Sequence, residues 1–495
     1  MVNAPLTAAI NDLRHQLSGY ILQAGDVQFE SAVKIDNGRI TLRPLLIVRP
    51  TVVEDVSLAF KFAVGHQLPF TVKGGGHSAA GYCLNDGGLV IDMKHLNKVT
   101  FNKKTESLTA QMGVIWYDLY KFMLDTGTGL IPIGGGCPTV APPGFMQGGG
   151  YSFVSRSYGM SVDSLLSVKI VMPDGQLRDI GINSTSQEDI DIFWAIRGGG
   201  GGNWGIIIEM EMQMHKPNSA TMLVGQIRYH LEQTEEVLGY YNQWVETLPP
   251  SMSCYGFIGQ QPDLVSPTDP TKNVKVIGLT PVFNGECAEG LDLLDGLLKL
   301  NPINTSLYNM TLPNWEFMNG YVTLVANRSA YMRSLILPKG GMNNEVAKVI
   351  VDYMKQAPSP ASFAVWTLLG GKIADKAPDD TAYYHRNARF VPEVKSIWNR
   401  ENPGEALANV QWAYEFFEAM RVAGDAVGAY VNYIDPLLHD WAKMYYGDNY
   451  ERLVRIKKQV DPKNLFNFQQ SIGSDFNPPA GPLKDISPLN RTQIK

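Results

Sequence analysis

Phe70-Thr-Val-Lys73-Gly-Gly-Gly-His77-Ser78 is the stretch from which the fold is read. Phe70 to Val72 predict a short strand, and the three glycines after Lys73 let the backbone approach a ligand closely. Upstream, Thr51-Val-Val-Glu54 has the spacing of a capping box and predicts a helix to about Val64. Downstream, Gly88-Leu-Val-Ile-Asp-Met93 predicts the next strand. Helix, strand, Gly-rich loop and strand together point to an α+β or α/β cofactor-binding domain.

Farther along, Leu165 to Met172 and Gln176 to Ile180 flank Pro-Asp-Gly and predict a hairpin. Ile208, Met210, Met212 and Met214 alternate with Glu209, Glu211 and Gln213, the pattern of a half-buried strand. After Lys216 the long glycine runs stop, and helices near 234–247 and 344–356 alternate with strands such as Ser362 to Leu369. This part reads as an antiparallel sheet covered by helices. The expected division is 1–215, 216–435 and 436–495, the last part carrying a basic helix after Tyr446-Gly-Asp-Asn-Tyr450.

Composition narrows the function. At ~150 residues per domain, 495 residues suggest about three domains or two large ones. Forty-eight Gly and thirty Pro make about 16% of the chain, below the ~25–30% of low-complexity sequence, so a packed core is expected. A net charge of −6 leaves no basic footprint for nucleic acid. Cys83, Cys137, Cys254 and Cys287 form no CxxC, so no metal site is expected. The stretch Thr126 to Ser155 lacks charge, but thirteen of its thirty residues are Gly or Pro, which excludes a membrane-spanning helix. The first residues show no basic region followed by an apolar one; a cytoplasmic location is expected, or a secreted one if the numbering starts after a cleavage site.

Gly clusters at 74–76, 134–136, 148–150 and 198–202 suit loops that wrap a phosphate-bearing cofactor. No GxGxxG follows a first strand with an acid ~20 residues on, and no GxxxxGK[ST] occurs, so neither a Rossmann site nor a P-loop is indicated. Instead, two of the loops end in a nucleophile, His77 and Cys137.

With those residues in place the chain resembles a berberine-bridge-enzyme-like oxidase of the vanillyl-alcohol-oxidase flavoprotein superfamily. The resemblance runs through KGGGHS at 73–78, GGGCPTV at 134–140, GGGYS at 148–152, RxYGMSVD at 156–163, FWAIRGGGGGNWGI at 193–206, YVNY at 430–433 and the C-terminal YYGDNYERLVRIKKQVDPKNLFNFQQSI. It implies an α+β fold with a PCMH-type FAD-binding domain, and FAD bonded to His77 at its 8α carbon and to Cys137 at C6. It further implies that Lys73, Gly74, Gly75, Gly76 and Ser78 cradle the pyrophosphate, aided by Gly81, Tyr82, Thr139, Gly148, Gly149, Tyr151, Asn203, Gly205, Ile207, Asn467 and Gln469. Val140 would be the small residue that admits oxygen to the flavin, and Tyr433 the base that takes a hydroxyl proton.

The chain departs from the family pattern in two places. Val140-Ala-Pro-Pro-Gly-Phe145 replaces a Gly-rich run, and two prolines there stiffen a loop near the flavin. Thr367 stands where some relatives carry a carboxylate, which leaves Tyr433 without that partner. A free tyrosine has a pKa of ~10, so an alkaline optimum is expected, with Asp379, Asp380 and His385 as the next candidates for the base. Tyr430 and Asn432 would share one face of a strand and Tyr433 the other. Trp366 reads either as an aromatic platform for substrate or as a packed strand residue. The function expected from the resemblance is oxidation of an alcohol carbon, in a saccharide or another secondary or hemiacetal alcohol, with oxygen reduced to peroxide. Tailoring of a natural product, or a silent flavin-binding module, are the other readings.

Overall fold

Strand, glycine loop and strand form where the opening stretch predicts them. The structure, a computed structural model, describes residues 4–265, 273–311, 328–479, 483–486 and 489. Strands β1 (Tyr20–Leu22), β2 (Leu46–Arg49), β3 (Phe70–Lys73) and β4 (Leu89–Asp92) make a sheet of order β1-β2-β4-β3. The pairs β2–β4 and β3–β4 are parallel, and every residue of β2 and β4 is buried, as expected when both faces are covered. Helix Val53–Gly65 makes the crossover and buries Val56, Ala59, Phe60 and Ala63. Its cap differs from the expected one. Asp55, not Glu54, accepts the amides of Thr51 (2.9 Å) and Val52 (3.3 Å). The same carboxylate takes the amides of Ser18 (2.8 Å) and Gly19 (3.0 Å), because the helix start also anchors the chain entering β1.

The second sheet is antiparallel, of order β5-β6-β9-β7-β8, and holds β5 (Val99–Asn102), β6 (Ser107–Gln111), β7 (Leu165–Val171), β8 (Leu177–Gly181) and β9 (Ile206–Gln213). Strands β7 and β8 are the expected hairpin. In β9, Met210 and Met212 are buried between half-buried Glu209 and Glu211.

The third sheet comprises β10 (Thr221–His230), β11 (Met252–Val265), β12 (Asn273–Phe283), β13 (Asn304–Thr311), β14 (Arg328–Ser334), β15 (Phe363–Leu368) and β16 (Phe390–Asn399). All its pairings are antiparallel, and the order is β13-β10-β12-β11-β15-β16-β14. Helices Thr234–Trp244, Cys287–Leu298, Asn344–Lys355 and Ala406–Ala423 cover one face. Trp366 belongs to this covered side. It is 1% exposed, its ring meets Tyr241 edge-on at 6.0 Å, and no room remains for a Cβ on Gly256 beside it. The packed-residue reading of Trp366 therefore holds and the platform reading is corrected.

Residues 430–433 do not form a strand. Val431–Tyr433 is a 3-10 turn, closed by the Tyr433 amide on the Tyr430 carbonyl at 3.0 Å. In such a turn residues i and i+3 eclipse, so Tyr430 and Tyr433 present to the same side rather than to opposite faces.

Helix Tyr450–Val460 brings the C-terminal segment back to the residues before β9. The buried Lys457 ammonium donates to the Asn203 carbonyl (2.9 Å), the Phe466 carbonyl (2.7 Å) and Asp461 (2.6 Å). Among the described residues, no helix is long and apolar enough to cross a membrane.

Candidate active site

The uncovered face of the third sheet and the glycine loops of the first two enclose a cavity of about 1400 Å³. Usual single-ligand pockets hold ~300–1,000 Å³, so this one has room for a dinucleotide and a second molecule. Its walls take Gly74 to Ser78, Tyr82, Cys137, Val140, Tyr151, Asn203, Gly205, Ile207 and Asn467 from the expected set, and Tyr430, Asn432 and Tyr433 from the turn.

At one corner the two nucleophile loops lie back to back. A Cβ on Gly75 would fall 2.7 Å from the Ala141 amide nitrogen, so only glycine permits that approach. His77 Nε2 lies 2.7 Å from Thr139 Oγ1, and Cys137 Sγ lies 3.8 Å from the same oxygen. Burial holds the His77 imidazole below its ordinary pKa against the pull of Asp36, so the ring is neutral near neutral pH. Burial also pushes the Cys137 thiol up, opposed by hydrogen bonds from Thr139. Pro142 and Pro143 do not displace this loop; they start helix Pro142–Gln147, where the missing amides cost nothing.

Several expected cofactor residues stand behind the wall instead of on it. Lys73 is the clearest correction: its ammonium donates to the Ala32 carbonyl at 2.6 Å and lies 3.7 Å from Asp92. A lysine spent inside the first sheet leaves the loop's backbone amides to meet a pyrophosphate. Gly81 abuts Ile40, Gly148 abuts Asn432 and Gly149 abuts Tyr383, each too close for a side chain. Gln469 is buried, and its Oε1 has no partner among the described residues.

Another part of the cavity wall is a cluster of phenols around one acid. The Tyr151 hydroxyl donates to the Tyr433 oxygen at 2.7 Å. Tyr430 accepts from the Gly150 amide (2.9 Å) and the Asn432 side-chain amide (2.8 Å), which fixes its ring beside them. The acid is Glu393, on β16 opposite Val365, buried and lining the same cavity as Tyr433, close enough that each carries an electrostatic influence on the other. Thr367 faces the same side, two pairs along, buried opposite Tyr255 of β11. A carboxylate absent at 367 is thus present on the neighbouring strand. Asp379 and Asp380 are exposed outside the cavity, and His385 turns to the Met444 carbonyl at 2.8 Å, so none of the three reserve candidates reaches the site.

Sequence reading missed Glu393 although a signal existed. In Phe390-Val-Pro-Glu-Val-Lys-Ser-Ile-Trp398, two charges two residues apart interrupt an apolar strand, so both fall on one face. Asp36, which lies 3.8 Å from His77 Nδ1, carried no such signal, because it comes from a loop forty-one residues upstream.

A glycine-lined cradle leading into a large cavity, with two soft nucleophiles at one corner, fits a flavin dinucleotide. This is the site of a flavin-dependent oxidoreductase. Comparison with known proteins agrees. A family profile described as FAD binding domain matches residues 44–181, and one described as berberine and berberine like matches residues 429–473. The chain is 29% identical over 468 residues to the FAD-linked oxidoreductase YgaK of Bacillus subtilis, covering 92% of this chain and 97% of that one. It is 24% identical over 473 residues to reticuline oxidase of Papaver somniferum, covering 87% and 84%. The solved structure of Physcomitrella patens BBE-like 1 superposes with a TM-score of 0.82 at 23% identity, over 94% of this chain and 98% of that one, and shares the fold. The chain thus carries an FAD binding domain and a berberine-like C-terminal segment, and along most of its length it is similar to berberine-bridge-enzyme-like FAD-linked oxidoreductases.

Proposed function

We propose that this protein is an oxidase of a small-molecule alcohol, saccharides and other secondary or hemiacetal alcohols being the substrate class, with FAD bonded to both His77 and Cys137. The observation that carries the reading is that Tyr433 and the buried acid Glu393 line the same cavity as His77 and Cys137. FAD, when bound, accepts two electrons as hydride and passes them to oxygen. The chain's own task is the proton. Tyr433 is held well above its ordinary pKa by burial, by Tyr151 and by Glu393, so a free phenolate is not populated near neutrality. Glu393 removes that difficulty. As Tyr433 takes the substrate hydroxyl proton, it hands its own to the carboxylate, and no charge is stranded on the phenol. Burial raises Glu393 above the usual carboxylate range against the pull of Lys395 and Tyr433, so substrate oxidation should fall as pH drops through that raised value.

His77 and Cys137, sharing one corner of the cavity, support double attachment. Protein precipitated with acid should stay yellow, and peptide mapping should find flavin on both residues; full release of the flavin on denaturation would refute the attachments. Val140 lines the cavity beside Cys137 and is small enough to leave oxygen a path. Val140→Leu is expected to slow reoxidation by air by ~10-fold or more with little effect on reduction by substrate, read by stopped flow. Indifference of reoxidation to that change would remove Val140 from the oxygen path. The Phe257–Phe363 pair on the same sheet face, ring centroids 5.7 Å apart, favours as second reading a substrate that presents an aromatic ring.

A further inference from the structure

One hydroxyl serves both nucleophiles. Thr139 Oγ1 touches His77 Nε2 at 2.7 Å and Cys137 Sγ at 3.8 Å, while Asp36 Oδ2 stands 3.8 Å from the remaining ring nitrogen, Nδ1. The loop that presents Thr139 is pinned. The Trp116 amide donates to the Val140 carbonyl (3.0 Å), the Tyr117 amide to the Pro138 carbonyl (2.9 Å) and the Val140 amide to the Cys137 carbonyl (3.3 Å). The hydroxyl's place is therefore set by backbone rather than by a mobile side chain.

We infer that Asp36 and Thr139 are positioning residues for flavin attachment, Asp36 receiving a proton from the His77 ring and Thr139 both orienting that ring and carrying the Cys137 proton away. The inference rests on the double-attachment reading above. Each attachment replaces one C–H of the flavin and one N–H or S–H of the protein by a C–N or C–S bond. Two protons and two electrons leave per bond. The electron pair enters the flavin ring system and is removed by molecular oxygen, one peroxide forming per bond. The protein's proton starts on a side chain whose immediate polar neighbours are Thr139 and Asp36. A hydroxyl is donor and acceptor at once, so Thr139 can take the thiol proton while giving its own to an imidazole nitrogen. Burial leaves His77 neutral and ready to attack, but leaves Cys137 as a thiol in need of an acceptor.

The test follows attachment itself, not turnover. Flavin-free protein is mixed with FAD in air, and acid-stable flavin on each peptide is followed over time by mass spectrometry. Thr139→Val, which keeps the shape and deletes the hydroxyl, should slow attachment at both His77 and Cys137 by ~10²-fold, the lower end for losing a positioned proton-transfer group. Thr139→Ser should restore it. Asp36→Asn should slow attachment at His77 alone. Wild-type rates at both sites in Thr139→Val, or a Ser variant as slow as the Val variant, would overturn the role of Thr139. Should Thr139→Val fail to bind FAD at all, Asp36→Asn decides, its side chain being partly exposed and tolerant of change: an unchanged rate at His77 overturns the inference. Release of all flavin from the wild-type protein is a different result and defeats double attachment itself.

Discussion

Tyr433→Phe is expected to slow anaerobic reduction of the bound flavin by ~10²–10⁴-fold, the usual cost of losing a general base, while both attachments stay intact. The phenylalanine keeps the ring edge-on to Tyr430, whose centroid is 5.4 Å away, so the turn should survive and only the proton acceptor is lost. Glu393→Gln should cost a similar factor, because Tyr433 then has nowhere to send its proton, and it should abolish the decline in rate at low pH that Glu393 imposes. Removing both groups should cost little more than removing either, since members of one relay act as a unit. Stopped-flow reduction with an alcohol substrate across pH gives all three answers. Near-normal reduction in Tyr433→Phe would end its assignment as base, and additive losses in the double variant would end the relay.

Asp435→Ala is expected to destabilise the fold by ~3–5 kcal/mol, the range for removing one partner of a buried ion pair. Asp435 accepts from Arg333 Nε at 2.6 Å, the Tyr331 hydroxyl at 2.8 Å and the Leu437 amide at 2.9 Å, with the two charged side chains 1% and 3% exposed. The guanidinium lies over Phe417 at 3.7 Å, and its remaining ion partner, Glu418, is 3.5 Å away. Without Asp435 the phenol and amide lose their acceptor and the arginine loses its closest counter-charge. The site should also suffer, because Asp435 lies two residues after Tyr433 and ties the 430–433 turn to β14. Urea unfolding would measure the loss, and a change under ~1 kcal/mol would show that the pair does not hold the turn. Adding Arg333→Met should recover part of the stability, since a buried pair replaced by apolar groups is often near neutral.

The local elements were legible in the sequence because short-range chemistry sets them. Phe70-Thr-Val with its glycines, the hairpin around Pro173-Asp-Gly175 and the alternation through Met214 each carry their own signal, and the order of the motifs named the cofactor. His77 and Cys137 could be picked out for the same reason: each ends a glycine loop. Tertiary structure decided which side chains were free to act. Lys73 looks like a phosphate ligand in sequence, but Ala32 and Asp92 claim its charge, and neither is a neighbour until the first sheet forms. Tyr433 looks isolated once Thr367 replaces an acid, but the antiparallel pairing of β15 with β16 sets Glu393 beside it from a different strand. Asp36, Thr139 and His77 meet only when three loops, 41 and 62 residues from one to the next along the chain, close one corner. Local pattern records what each segment prefers. Partners that meet through sheet register and loop closure leave no periodic trace in the chain, so only the folded molecule assigns them.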